Sequence, residues 1–186
     1  MKKYLVLAIF IVSLGHTLQA QVGERFPNLT GTNLNDKTVT LPQASQGKPA
    51  LMVLAYSKKS QDDLETWVRP VYKQFIASTG EGLFSELADD YDINVYFVPM
   101  LRGINKAAYG KVEKEMRANT DKVFKPHVVL YKGSLSSYKN VLSLNSKDEP
   151  YLYLVNQQGK IVYATSGAYS SSKMSDLEDE LEKCYK

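Results

Sequence analysis

Cysteine is almost missing from this chain. Cys184, third from the C-terminus, is the single one among 186 residues. No disulfide can therefore close within the chain, and dithiol exchange, which needs an attacking thiolate and a resolving partner, is excluded within one molecule. Histidine is nearly as scarce, with only His16 and His127. A metal site built from several His or Cys ligands has nothing to draw on, the acidic residues show no calcium-loop spacing, and no metal or cofactor is expected. Nor does charge of one sign dominate: 23 Lys and Arg stand against 20 Asp and Glu. That balance gives no support for nucleic-acid or anionic-membrane binding.

Long apolar runs are confined to the start. Lys2 and Lys3 precede Tyr4 to Val12, and Leu18-Gln19-Ala20 follows. A basic n-region, an apolar h-region and a small residue before the cut describe a secretory signal peptide over residues 1–20, cleaved after Ala20. The run is short for a membrane span, which favours cleavage over retention as an anchor. No cysteine follows it, so a lipoprotein is excluded, and the expected location is periplasmic or secreted. Residues 21–186 then hold 21 basic and 20 acidic residues, a net +1. No repeat or linker divides them, and their length suffices for a single domain with its own core.

The most informative stretch is Ala50 to Phe75. Ala50-Leu51-Met52-Val53-Leu54-Ala55 is a continuous apolar run, the signature of a strand buried on both faces. It turns through Tyr56-Ser57-Lys58-Lys59-Ser60. From Gln61 the period becomes helical, with Leu64, Trp67, Val68, Val71, Tyr72 and Phe75 on one face and Pro70 in the interior, where it should bend the helix. A buried strand feeding a proline-bent helix through a short polar turn resembles the active-site unit of thioredoxin-like proteins. Those proteins carry C-x-x-C where this chain reads Ser57-Lys58-Lys59-Ser60. The resemblance implies an α/β fold, a central mixed sheet flanked by helices. Before that unit, Phe26–Thr30 and Lys37–Leu41 read as an extra N-terminal hairpin around Asn33-Leu34-Asn35-Asp36.

Further along, a second helix is predicted over Leu83–Tyr91, a strand over Ile93–Pro99, a helix over Ile104–Asn119 and a strand over His127–Tyr131. Leu135–Lys147 is polar, with Tyr138, Val141, Leu142 and Leu144 as candidates for burial. Tyr151–Val155 and Lys160–Thr165 read as a hairpin turning at Asn156–Gly159, and a last helix starts near Ser172 with Met174, Leu177 and Leu181 inward.

Several residues invite a chemical reading. Serine at 57 and 60 cannot replace cysteine in redox work: the hydroxyl pKa is far too high, and oxygen has no sulfenate or disulfide ladder. The plainer role is that one serine caps the helix, with Asp62 and Asp63 in its first turn. Lys58 and Lys59 at the positive end of the dipole suggest a small-anion site, and a Ser–Lys nucleophilic pair would need burial that the neighbouring sequence does not offer. In thioredoxin-like proteins a cis-proline opens the strand that faces the redox turn. Glu149-Pro150 before Tyr151-Leu152-Tyr153-Leu154 matches that place, which would leave backbone free to pair with an extended peptide. Trp67 and His127 read as structural residues, and Cys184 as half-buried on the last helix. Its use as a peroxiredoxin-like or thiol-oxidoreductase centre is the enzymatic alternative.

Two segments carry a closer resemblance. Ala55 to Phe75, with Ser57, the acidic helix start and Glu65-Thr66-Trp67-Val68-Arg69-Pro70, is one. Leu142-Ser143-Leu144-Asn145, Tyr151 to Ile161 and Ser166-Gly167 form the other. Both are similar to the mitochondrial ATP synthase F0 assembly-factor family of the Atp-ten type. In that family's pattern an aspartate stands where this chain has Asn156. The resemblance implies a non-catalytic thioredoxin fold that helps another protein fold or assemble. From the βα turn and the proline strand, the expected residues for binding a client protein or peptide segment are Ser57, Lys58, Lys59, Ser60, Glu149 and Pro150.

Overall fold

The computed structural model describes residues 21–45, 47–77, 91–101, 103 and 106–186. The predicted leader and the helix predicted over 83–91, except Tyr91, lie outside the described residues.

Ala50–Ala55 forms strand β3, and every one of its six residues is buried. A strand with no solvated face must satisfy its backbone on both sides. It does so through a parallel neighbour, β4 (Asn94–Leu101), and an antiparallel one, β6 (Tyr151–Val155). Around this centre the seven strands run β2-β1-β5-β4-β3-β6-β7. Here β1 is Leu29–Asn33, β2 Thr38–Leu41, β5 Val129–Lys132 and β7 Ile161–Ser166. The predicted N-terminal hairpin is thus present, and it extends the sheet by pairing β1 antiparallel to β5. Gly31 is required there, because a Cβ would come within 2.6 Å of the Leu130 carbonyl oxygen.

The period of two along β3 divides the core. Ala50, Met52 and Leu54 face a layer containing Phe26, Leu41, Tyr138, Leu142, Tyr151 and Tyr153. Leu51 and Val53 face the opposite layer, where Trp67, Val71 and Phe75 of the first helix meet Met174, Leu177 and Leu181 of the last. That first helix, α1, spans Lys58–Val71; α2 spans Lys106–Asn119, α3 Ser136–Lys139 and α4 Ser171–Lys183. Pro70 lies inside α1, as expected, two residues before a change in helix type. The α-helical ladder gives way to a π-helical turn over Tyr72–Ile76, closed by the Ala77 amide donating to the Tyr72 carbonyl, as expected where a missing N–H disrupts the i→i−4 pattern.

Of the buried candidates in the polar stretch, Tyr138, Leu142 and Leu144 are buried, but Val141 is 46% exposed. It lies between α3 and a left-handed residue, Ser143 (φ 46°), that turns the chain and carries Leu142 and Leu144 inward. At the β6–β7 turn, the Asn156 Oδ1 accepts from the amides of Gln158 and Lys160, both at 3.0 Å. An aspartate oxygen would accept the same two bonds, so the asparagine preserves the turn.

Leu152, fully buried between β3 and the helices, gives a test of this packing. Leu152→Ala should cost about 3 kcal/mol and lower Tm by roughly 6–12 °C. Val162→Ala on the half-exposed neighbouring strand should cost under about 1 kcal/mol. Thermal unfolding followed by circular dichroism reads both.

Candidate functional site

Helix α1 begins three residues earlier than its apolar period suggests, and hydroxyl chemistry is the reason. Ser57 is extended (φ −144°, ψ 165°) and its Oγ accepts from the Ser60 amide at 3.1 Å. The Ser60 Oγ, fully buried, accepts from the Ser57 amide at 3.0 Å and the Tyr56 amide at 3.2 Å, and donates to the Ser57 carbonyl at 2.9 Å. This is a reciprocal capping box, with serine in both places. Both serines cap, where one was expected. Since the helix starts at Lys58, Asp62 and Asp63 fall beyond its first turn, which holds no acid. The two hydroxyl oxygens lie 3.3 Å apart, at the positions a C-x-x-C would give to sulfur.

Lys58 and Lys59 project to solvent. The Lys59 Nζ lies 4.0 Å from an Asp148 carboxylate oxygen, with both side chains well exposed, an ion pair worth little to stability. Its geometry does connect the helix start to the segment before β6. The register Leu54↔Tyr151 brings Glu149 and Pro150 alongside the same turn. The six predicted site residues therefore gather at one end of the sheet.

The expected cis bond before Pro150 is not there. Among the described residues Leu41–Pro42 is the sole cis peptide, so Glu149–Pro150 is trans. The trans bond keeps the chain extended, and the β6–β7 ladder continues one step past Tyr151↔Ser166: the Gly167 amide donates to the Pro150 carbonyl at 3.0 Å. That carbonyl is therefore not free to pair with a peptide. The Glu149 Oε2 in turn accepts from the Ser166 hydroxyl at 2.7 Å.

A feature absent from the sequence reading sits behind this turn. Tyr56 directs its hydroxyl to the carbonyls of Leu144 (3.2 Å) and Ser146. The Tyr151 hydroxyl accepts from the Ser146 amide at 2.6 Å and donates to its carbonyl at 3.1 Å. The Tyr153 hydroxyl donates to the Leu142 carbonyl at 2.5 Å. The Tyr56 and Tyr151 rings stack at 6.3 Å, inclined 16°. Burial pushes the Tyr153 phenol well above its ordinary value, so it stays a donor. Three tyrosines thus pin the 142–146 loop, which leads into the Asp148–Pro150 stretch beside the Ser57–Ser60 turn. Tyr151 and Tyr153, two apart on one strand face, were the available signal; their loop partners were not.

The other singled-out residues are structural. Trp67 is fully buried and its indole donates to the Gly167 carbonyl at 2.9 Å; the His127 Nδ1 lies 2.9 Å from the Val95 carbonyl oxygen. Cys184 caps the end of α4, its carbonyl accepting from the Gln157 side-chain Nε2 at 2.6 Å. Gln157 follows the C-terminal end of β6, whereas the Ser57 turn lies at the strand's beginning, so the cysteine is not part of this site. Burial, and then the nearby Glu180 charge, raise its thiol above the usual value. Among the described residues no group of three His, Cys, Asp or Glu is placed to hold a metal, and no helix is long and apolar enough to cross a membrane. Beside the turn, a groove of about 620 Å³ runs between α1 and α2, floored by Leu64, Val68, Phe97 and Met116 and edged by Glu65, Glu115 and Asp121.

Two measurements test these assignments. Ser57→Ala should lose about 1 kcal/mol, a cap's usual worth, and Ser60→Ala about 1–3 kcal/mol because it strands the Tyr56 and Ser57 amides; urea midpoints should rank them in that order. For Cys184, folding disfavours the thiolate, so its reaction with a disulfide reagent should reach half-maximal rate only above pH 9.0, the ordinary thiol value. Unfolding in urea should bring that midpoint back down.

The fold is similar to that of several solved thioredoxin-like proteins. One is the thioredoxin domain of a thiol-disulfide oxidoreductase from Bacteroides vulgatus (17% identity, covering 86% of this chain and 97% of that one, TM-score 0.52). Another is the exposed lipoprotein thioredoxin Etrx1 of Streptococcus pneumoniae (13%, 84% and 99%, 0.52). A third is BsSco, a member of the Sco family of cytochrome c oxidase assembly proteins (14%, 86% and 92%, 0.53). At these identities the likeness shows the thioredoxin-like fold. No curated protein matches the chain. The family model described as ATP10 protein matches residues 15–185, and with that match spanning nearly the whole sequence, on a thioredoxin-like scaffold without C-x-x-C, the chain belongs to the ATP10 protein family.

Proposed function

We propose that this chain is an exported, redox-silent member of its family that acts by binding. It holds a segment of a client protein at the Ser57–Ser60 turn and the facing Asp148–Pro150 stretch while the client assembles. The observation that carries this is the serine capping box. Each hydroxyl at the positions a C-x-x-C would fill is engaged in fixing the helix start, and among the described residues neither is hydrogen-bonded to a base that would make it a nucleophile. The surrounding geometry supports holding: the loop that leads into the Asp148–Pro150 stretch is pinned by Tyr56 and Tyr151, and the adjoining groove offers an apolar floor. Family membership makes ATP synthase subunits the first clients to test. The leader pattern, with its cut after Ala20, supports export to the periplasm or beyond.

The alternatives have less behind them. A thiol enzyme would work through Cys184, whose sulfur is half-buried and shifted away from the reactive thiolate. A small anion at Lys58 and Lys59 would meet the Asp148 carboxylate, 4.0 Å from Lys59.

A thiol-specific photocrosslinker attached at Lys58→Cys, in a Cys184→Ser background and in the native envelope, should give a discrete client adduct. The same label at Val141→Cys, an exposed position on the loop, should not. Insulin reduction and peroxide consumption should be absent from both wild type and Cys184→Ser. A thiol activity that disappears in Cys184→Ser, or equal labelling from the two positions, would sink the holding role.

A further inference from the structure

Among the described glutamines, Gln21 is the one that is buried. It is 1% exposed, and among the described residues neither its Nε2 nor its Oε1 has a hydrogen-bond partner. Buried amides are nearly always paired, so a bare one needs a reason. Its backbone is fixed where it stands. The Glu24 amide donates to the Gln21 carbonyl at 3.0 Å, and the next residues are stitched to the start of β7 through Gly23 N–H to the Ile161 carbonyl and Ile161 N–H to the Glu24 carbonyl, both 2.8 Å. The predicted signal cleavage after Ala20 would turn this same residue into the N-terminus and add a positively charged amine beside the unpaired amide. Burying that ammonium without a counter-charge is more costly still.

We propose that Gln21 becomes a pyroglutamyl residue once the leader is removed, an inference that rests on the export reading above. The neutral α-nitrogen attacks the side-chain Cδ, a five-membered lactam N–Cδ bond forms, and the Cδ–Nε2 bond breaks to release the side-chain nitrogen as ammonia. Atoms and electrons balance without any oxidant or co-reactant. An ammonium and a primary amide are thereby exchanged for one N–H and one carbonyl, and the formal charge is lost. The Gln21 main-chain carbonyl is untouched, so the bond from Glu24 survives. The ring lies in the sheltered place that the glutamine side chain occupies, and the chain's first turn is closed against aminopeptidases.

The test uses the full chain, leader included, expressed in an exporting host. The mature protein is denatured, its free amines are reductively dimethylated at once, and only then is it digested with trypsin, so that cyclisation during digestion cannot mislead. The expected N-terminal peptide ends at Arg25, carries no methyl groups and is lighter than the Gln21–Arg25 peptide by ~17 Da, the mass of ammonia. Gln21→Ala should instead yield a dimethylated N-terminus at the same position. A dimethylated Gln21–Arg25 peptide from the wild type overturns this inference and leaves the export reading intact. A peptide starting before residue 21, or an uncut leader, overturns both. Burial is tested separately: pyroglutamyl aminopeptidase should act on the folded protein at least about tenfold more slowly than on the cyclised synthetic peptide of residues 21–25. Equal rates would refute the sheltered lactam.

Discussion

Strand β3 has nowhere to meet water, and the rest of the molecule follows from that. All six of its residues are buried, alternate ones feeding two separate core layers. Each backbone group must therefore sit in a ladder, which fixes a neighbour on either side. The neighbour β4 is parallel, so the chain has to cross over one face before returning, and α1 lies on that crossover. The neighbour β6 is antiparallel, so its first residues come to lie where β3 ends. The meeting of the Ser57 turn with Glu149 and Pro150 is thus a consequence of burying six apolar residues, settled before any question of chemistry arises.

What occupies that meeting point is decided by the needs of a helix N-terminus. The first amides of α1 have no partner inside the helix, and the cap and third positions are where side chains can supply one. Those are also the two positions that a C-x-x-C would fill. Sulfur is a weak hydrogen-bond acceptor, so a redox turn gives up capping strength in return for a reactive thiolate. Here the exchange runs the other way: two hydroxyls close a box that also recruits the Tyr56 amide, and nothing ionisable remains at either place. The exposed lysines between them work against the helix dipole by a few tenths of a kcal/mol each, a small opposing effect beside two good caps.

Most of the frame could be read from the order of residues. The runs Ala50–Ala55 and Tyr151–Val155 are strands with those same bounds, because a continuous apolar stretch of that length leaves little choice. Boundaries set by polar contacts were harder. The start of α1 depends on the Ser60 hydroxyl folding back onto two amides, an angular fact that apolar spacing does not encode. Val141 looked like its neighbours in composition, yet its exposure follows from one left-handed residue, Ser143, downstream. Pro150 lies beside the turn, as its sequence context suggests, but its peptide bond is trans, and its carbonyl is engaged by Gly167, more than a dozen residues away, a partner that the local sequence does not reveal. The tyrosine contacts share this non-local character, since a ring gives no hint in sequence of which distant carbonyl its hydroxyl will find.

Those tyrosines bear on how a binding site at this turn could be selective. A surface that only binds must limit the ordering cost it meets on association, and a loop held in advance meets less of it. Tyr56 and Tyr151 both reach the Ser146 backbone, and Tyr153 anchors Leu142 on the same loop. Their rings lie in a core layer of the sheet, so the loop is tied to the core rather than to another loop. The same burial disfavours ionisation of the Tyr153 phenol, and its bond to Leu142 therefore holds across the physiological pH range. These supports fix the spacing between the loop and the end of β3 from which the helix starts. For the proposed holding role, that spacing is the property on which recognition of a client segment would rest.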